Sequence, residues 1–189
     1  SVIPDKNTFI ASQNGYPDKD YKALAERLRS GFPEAKYIDI SGLLSADDFY
    51  YTDSHWRQER ITKVADEIAA QMGAERIGTC EIQDTGRPFY GVYYGQAALP
   101  HAPERLFYLD NAVIRGLKVY NVEASSDIPV YDFGAAAGRD PYEMFLGGAR
   151  SIIKITNPNA AQERRLIVFR DSFGSSIAPL LAAGYSEIT

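Results

Sequence analysis

The sequence predicts an α/β fold, an open parallel sheet flanked by helices and carrying a β-rich insertion, and three observations support that reading. Near the C-terminus the apolar run Leu166-Ile167-Val168-Phe169 stops at Arg170-Asp171-Ser172-Phe173-Gly174, and Ile177, Leu180 and Leu181 then follow at helical spacing up to Gly184. That is a buried strand, a tight turn and a helix, with Ser172 at the turn. The opening residues read β-α-β, a helical pattern between two short β-branched stretches. Between these regions, residues 74–133 change to short aromatic and β-branched runs separated by Gly, Pro, Asn and Asp.

Taken in order, Pro4-Asp5-Lys6-Asn7 and Asn14-Gly15-Tyr16-Pro17-Asp18 are turn chemistry, and Asp18 or Asp20 caps a helix over 21–30. Its apolar face is Tyr21, Leu24, Ala25 and Leu28, and Gly31 and Pro33 end it. Tyr37-Ile38-Asp39-Ile40 predicts a short strand. Ile61, Val64, Ala65, Ile68, Ala69 and Met72 repeat as one face of a strong second helix, stopped by Gly73. In the insertion, 77–82, 89–94, 106–109, 117–122 and 129–133 are candidate strands, followed by a short helix at 141–145 and a strand at 151–155.

The bulk numbers set limits. With 189 residues, 45% hydrophobic and 24% charged, the chain has an ordinary globular composition, and 1–189 reads as one domain. A net charge of -5 with scattered basic residues argues against a nucleic-acid surface. A single cysteine, Cys80, excludes an internal disulfide and any cysteine-rich metal site, and no metal or cofactor is expected. No window of eighteen apolar residues predicts a transmembrane segment. Both ends read as cut, Ser1-Val2-Ile3 as the tail of one strand and Ser186-Glu187-Ile188-Thr189 as the start of another. The 13 tyrosines suit half-buried packing on strands better than a stacking groove.

A serine at a strand-to-helix turn is either a helix cap or a nucleophile, and a nucleophile needs a base. The chain has two histidines. His101 lies in the proline-bracketed loop Leu99-Pro100-His101-Ala102-Pro103 with no carboxylate beside it. His55 follows Asp53 by two residues on the loop leading to the second helix, a spacing that lets the carboxylate fold back onto one ring nitrogen. Capping of that helix by Asp53, with His55 on its surface, is the other reading. With Ser172 the pair fits a Ser-His-Asp arrangement.

Tyr50-Tyr51-Thr52-Asp53-Ser54-His55-Trp56-Arg57, followed by a helix, resembles the signature of the bacterial DHHW family, with Ser54 in place of its first histidine. Ile3-Pro4-Asp5-Lys6, Phe145-Leu146-Gly147-Gly148 and Val168-Phe169-Arg170-Asp171-Ser172-Phe173-Gly174 resemble that family's other blocks in the same order. These proteins are similar to the SGNH hydrolase-like domains of alginate O-acetylation proteins. The resemblance implies a three-layer α/β/α, flavodoxin-like parallel sheet, with Ser172 as nucleophile, His55 as base and Asp53 as the group that orients it. It also implies an extracytoplasmic esterase or O-acetyltransferase acting on a cell-envelope or exopolysaccharide sugar. A membrane acyltransferase would be the acetyl donor if the group is transferred. Arg170 stands where the SGNH motif has glycine. Gly147 and Gly148 either bring a second amide to the oxyanion or form a simple turn, and Tyr51 and Trp56 either line the site or pack beside it. Asn157 is either the SGNH asparagine or a turn residue before Pro158. The alternative function is a non-catalytic carbohydrate-binding or envelope-assembly module with the same fold.

Overall fold

The computed structural model describes residues 1–98 and 100–189; Leu99, at the start of the His101 loop, lies outside the described residues. Six α-helices are described: α1 (Ala11–Asn14), α2 (Tyr21–Gly31), α3 (Thr62–Gln71), α4 (Val92–Ala97), α5 (Ala112–Gly116) and α6 (Ser172–Leu181). The strands are β1 (Glu81–Phe89), β2 (Glu104–Asp110), β3 (Lys118–Asn121), β4 (Ser126–Ile128), β5 (Ile153–Thr156), β6 (Arg165–Leu166) and β7 (Glu187–Ile188). They form a two-stranded sheet, β1-β2, and a five-stranded sheet in the order β4-β3-β5-β7-β6.

The parallel sheet expected from the sequence is instead a mixed one. Among the described residues only β6 and β7 run parallel; β3–β4, β3–β5 and β5–β7 are antiparallel. Parallel neighbours need a crossover, and α6 supplies one between β6 and β7. Ser172 opens that crossover helix. The segment 74–133 is divided between the sheets, since β1 and β2 stand apart while β3 and β4 join the larger one.

The three long helices follow their periodicity. Asp20 caps α2 through the Ala23 amide at 2.8 Å. The buried face of α3 is Val64, Ala65 and Ala69, and it packs on α6, which is buried from Gly174 through Leu181. Strand expectations fared less well. Residues 37–40 form no ladder, because the Asp39 carboxylate folds onto the Ser41 amide and hydroxyl. The run 166–169 is ladder-paired only over Arg165–Leu166, extended by the Val168 amide bonding the Thr189 carbonyl at 2.7 Å. As β6 is an edge strand, it is not buried on both faces, and Ile167 and Phe169 are 71% and 98% exposed. The expected strand 89–94 is broken at Gly91 and continues as α4, and 129–133 contributes a single bridge, Tyr131 to Phe145.

Candidate functional site

The site is built on a pinched loop. An antiparallel bridge between Phe49 and Trp56 closes its base, and the Tyr50 amide bonds the His55 carbonyl at 3.1 Å. Within it the Asp53 carboxylate turns back on its own strand: Oδ1 accepts from the His55 amide at 2.9 Å and lies 2.6 Å from His55 Nδ1. His55 Nε2 lies 2.6 Å from Ser172 Oγ, 117 residues away in sequence. An ionised carboxylate only accepts, so the ring proton sits on Nδ1 and Nε2 is left to accept from the serine hydroxyl. Asp53 and His55 are buried, at 1% and 8% exposure, whereas Ser172 faces solvent. A 3-10 turn at Gln58–Arg60 separates the loop from α3, whose N-cap residue is Ile61, so Asp53 does not cap that helix.

Opposing effects set the acidity of Asp53. Burial raises its pKa and is the largest single influence, but hydrogen bonds from the His55 ring, the His55 amide and the Val92 amide together outweigh it. The net result holds the carboxyl below the usual aspartate range. The Val92 amide, at 2.9 Å from Oδ2, comes from the first turn of α4. Gly91 permits this approach, because a Cβ there would lie 2.3 Å from the Thr52 carbonyl oxygen.

Two charged residues of opposite sign, Lys6 and Glu104, hold the loop. Lys6 Nζ donates to the carbonyls of Tyr50, Tyr51 and Asp53 at 2.7, 2.9 and 2.7 Å. Burial pushes its ammonium pKa down, against the attraction of Asp53, Glu104 and Asp5. Glu104, on β2, accepts from the Tyr51 amide at 2.8 Å and from the Thr52 amide and hydroxyl at 2.7 and 2.6 Å.

Ser172 is the first residue of α6, and the N-cap Asp171 takes the amides of Phe173 and Gly174 at 3.0 and 3.4 Å. Among the described residues the Ser172 amide has no acceptor, so it points free at the positive end of the helix. The Arg170 side chain lies over this first turn and donates to Ser175 Oγ. Its bulk is accommodated at Gly174, where a Cβ would lie 2.3 Å from Arg170 Cβ. The space that a glycine at 170 would leave is thus supplied four residues later.

Sequence reasoning missed the groups that fix the imidazole. The Tyr142 ring stacks flat on His55, with centroids 3.9 Å apart and planes at 11°, and Phe173 packs at 4.8 Å. The Tyr142 hydroxyl donates to Ser176 Oγ at 2.8 Å, and Trp56 Nε1 donates to the same oxygen at 2.8 Å. Ser176, one turn after Ser172, therefore joins the nucleophile's helix to both neighbours of the base. Trp56 is buried and acts in this bracing, and does not line an open site. Tyr51 is 73% exposed and stacks on His101 at 4.7 Å. Gly147 and Gly148 occupy a left-handed turn next to Ile128, Arg150 and Glu143, none of which belongs to the serine's surroundings described above. Asn157 Oδ1 accepts from the Asn159 amide within the turn, and its Nδ2 donates to the carbonyl of Ala182, the C-cap of α6, tying the turn to that helix. Among the described residues, no group of three His, Cys, Asp or Glu side chains is arranged to hold a metal, and no helix is long and apolar enough to cross a membrane.

The fold recurs in solved structures. A DHHW family protein from Eubacterium siraeum DSM 15702 superposes with a TM-score of 0.71 at 17% identity, over 99% of this chain and 66% of that one. Bacillus cereus PatB1 with a sulfonyl adduct gives 0.68 at 17% identity, covering 98% of this chain and 68% of PatB1. A second structure of Bacillus cereus PatB1 gives 0.61 at 18% identity, over 98% of this chain and 70% of that one. This chain therefore spans about two thirds of the length of these structures. No family model and no curated protein matches it.

Proposed function

We propose that this chain is a serine-dependent carbohydrate esterase or O-acetyltransferase that modifies a cell-envelope or exopolysaccharide sugar through an acyl-Ser172 intermediate. The observation that carries this reading is the unbroken hydrogen-bonded chain from buried Asp53 through His55 to exposed Ser172. Ser172 Oγ attacks the acyl carbon and its proton passes to His55 Nε2. Asp53 stabilises the resulting imidazolium, and the free Ser172 amide at the helix N-terminus meets the oxyanion. The protonated imidazole then gives its proton to the leaving oxygen, which departs and leaves the acyl group on Ser172. Water or a sugar hydroxyl, deprotonated by His55, attacks that ester, giving hydrolysis or transfer and restoring the serine.

The motif resemblance supports an SGNH hydrolase-like architecture, an extracytoplasmic location and, for transfer, a membrane acyltransferase as acetyl donor. The sulfonyl adduct of PatB1 is consistent with a reactive nucleophile on this fold, since sulfonyl groups are captured by activated nucleophiles. Acetate release from acetylated polysaccharides tests the reading: Ser172→Ala should reduce it by at least about 10³-fold. Undiminished release would remove Ser172 from the chemistry, and none from the wild-type protein would return the chain to the binding-module class.

A further inference from the structure

Two adjoining cavities open beside the Asp53 loop. One, of about 690 Å³, is lined by Tyr90, Val92, Tyr94, Gln96, Arg139 and Glu143 among others. The second, of about 220 Å³, shares Tyr90 and Arg139 with it and adds Arg87. Together they form a groove between the β1–α4 junction and the turns around 135–144.

Each wall touches the proposed catalytic apparatus. On one side, Gly91 packs against Thr52 and Asp53, and the Val92 amide holds Asp53 Oδ2 at 2.9 Å. On the other, Asp140 and Glu143 flank Tyr142, whose ring stacks on His55. Ser172 lines neither cavity, so the groove lies to one side of the reacting centre.

The chemistry of the groove selects a ligand class. Tyr90 and Tyr94 present paired rings 4.7 Å apart, and Tyr90 is 43% exposed. Among the described residues, the side chains of Gln96, Arg139 and Glu143 make no hydrogen bond, so donors and acceptors face the groove unspent. Arg87 and Arg139 balance Asp140 and Glu143, and the Asp140 carboxylate already accepts from the Tyr142 amide at 3.1 Å. The local balance gives the groove no strong preference for either sign of charge, and the net charge of -5 on the whole chain disfavours a polyanion. Aromatic faces with mixed donors and acceptors suit a ligand that has apolar C–H faces and many hydroxyls.

We propose that this groove binds a neutral, linear oligosaccharide and holds the glycan units that flank the acyl-bearing sugar. Its catalytic purpose rests on the esterase or acetyltransferase reading; the binding itself does not require turnover.

Titration calorimetry on the wild-type protein with chitotetraose, cellotetraose and tetragalacturonate tests the inference. At least one neutral tetramer should bind saturably, and tetragalacturonate should bind more weakly. Tyr90→Ala and Arg139→Ala, both solvent-facing positions, should each weaken the neutral ligand about tenfold. Their thermal midpoints and their hydrolysis of 4-nitrophenyl acetate, too small to need the groove, should stay at the wild-type level. Absence of neutral binding, binding undiminished in both variants, or tighter binding of tetragalacturonate would overturn the groove. Failure of the wild-type protein to hydrolyse 4-nitrophenyl acetate would instead count against the catalytic reading, and the titration would still decide the groove.

Discussion

Asp53 shows how one residue couples stability to the proposed chemistry. Its carboxylate is buried and receives two amide bonds as well as the imidazole, which depresses its pKa. A depressed carboxyl contributes stability that is fully present above the unfolded aspartate value of about 3.9 and is lost as pH falls through the lower folded value. Urea denaturation should therefore show wild-type stability falling toward that of Asp53→Asn as pH drops below about 4. A gap between them that does not change with pH would contradict the assignment. The same substitution inverts the hydrogen-bonding role at Nδ1 and should lower turnover by about 10⁴-fold. Tyr142 makes a complementary case, because its hydroxyl is spent on Ser176 and its ring on His55. Burial pushes its phenol well above the ordinary tyrosine range, so it stays neutral at working pH. Tyr142→Phe should cost about 1 kcal/mol of stability with most turnover kept. Tyr142→Leu, which removes the stack, should lower kcat by up to about 10²-fold through misplacement of the base.

At the scale of elements, the Asp53–His55 loop is positioned by segments far away in the chain. Glu104 on β2 holds three groups of Tyr51 and Thr52, and Lys6 holds three carbonyls. Glu104→Gln keeps the shape but supplies donors where only acceptors fit. It should destabilise the protein by about 1–3 kcal/mol and slow any acylation of Ser172, read by urea denaturation and by labelling kinetics. These contacts explain what the sequence reading found and what it missed. The 3.6-residue pattern from Ile61 to Met72 and the Asp53-x-His55 spacing are local signals, and both survive folding. Glu104, Tyr142 and Ser176 act across 52, 86 and 120 residues, and no local pattern marks such partners. Strands were misjudged where apolar runs implied burial on both faces: Leu166-Ile167-Val168-Phe169 lies at a sheet edge, and Tyr37-Ile38-Asp39-Ile40 is diverted by its own aspartate.

At the scale of the whole molecule, the two sheets share one apolar core. Leu106 and Leu109 of β2 belong to the same buried cluster as Val64 of α3 and Ile177 and Leu180 of α6. Such sharing argues that residues 74–133 do not fold apart from the rest, and that the chain is one cooperative unit. Leu106→Ala should cost about 2–5 kcal/mol and lower a single calorimetric transition, with hydrogen exchange accelerated in α6 as well as in β2. A separate low-temperature transition confined to β1 and β2 would show an independent lobe. The arrangement also explains how a mixed sheet still displays a serine at a strand-to-helix turn. The one parallel pair, β6 and β7, is the one that α6 crosses.

The central claim is that His55 activates Ser172. Reaction with a fluorophosphonate, followed by mass mapping of the modified peptide, tests it most directly. The account predicts one adduct on Ser172, formed rapidly in the wild-type protein and slowed by at least about 10³-fold in His55→Ala. An unlabelled Ser172 in folded protein, or labelling undiminished without His55, would contradict it.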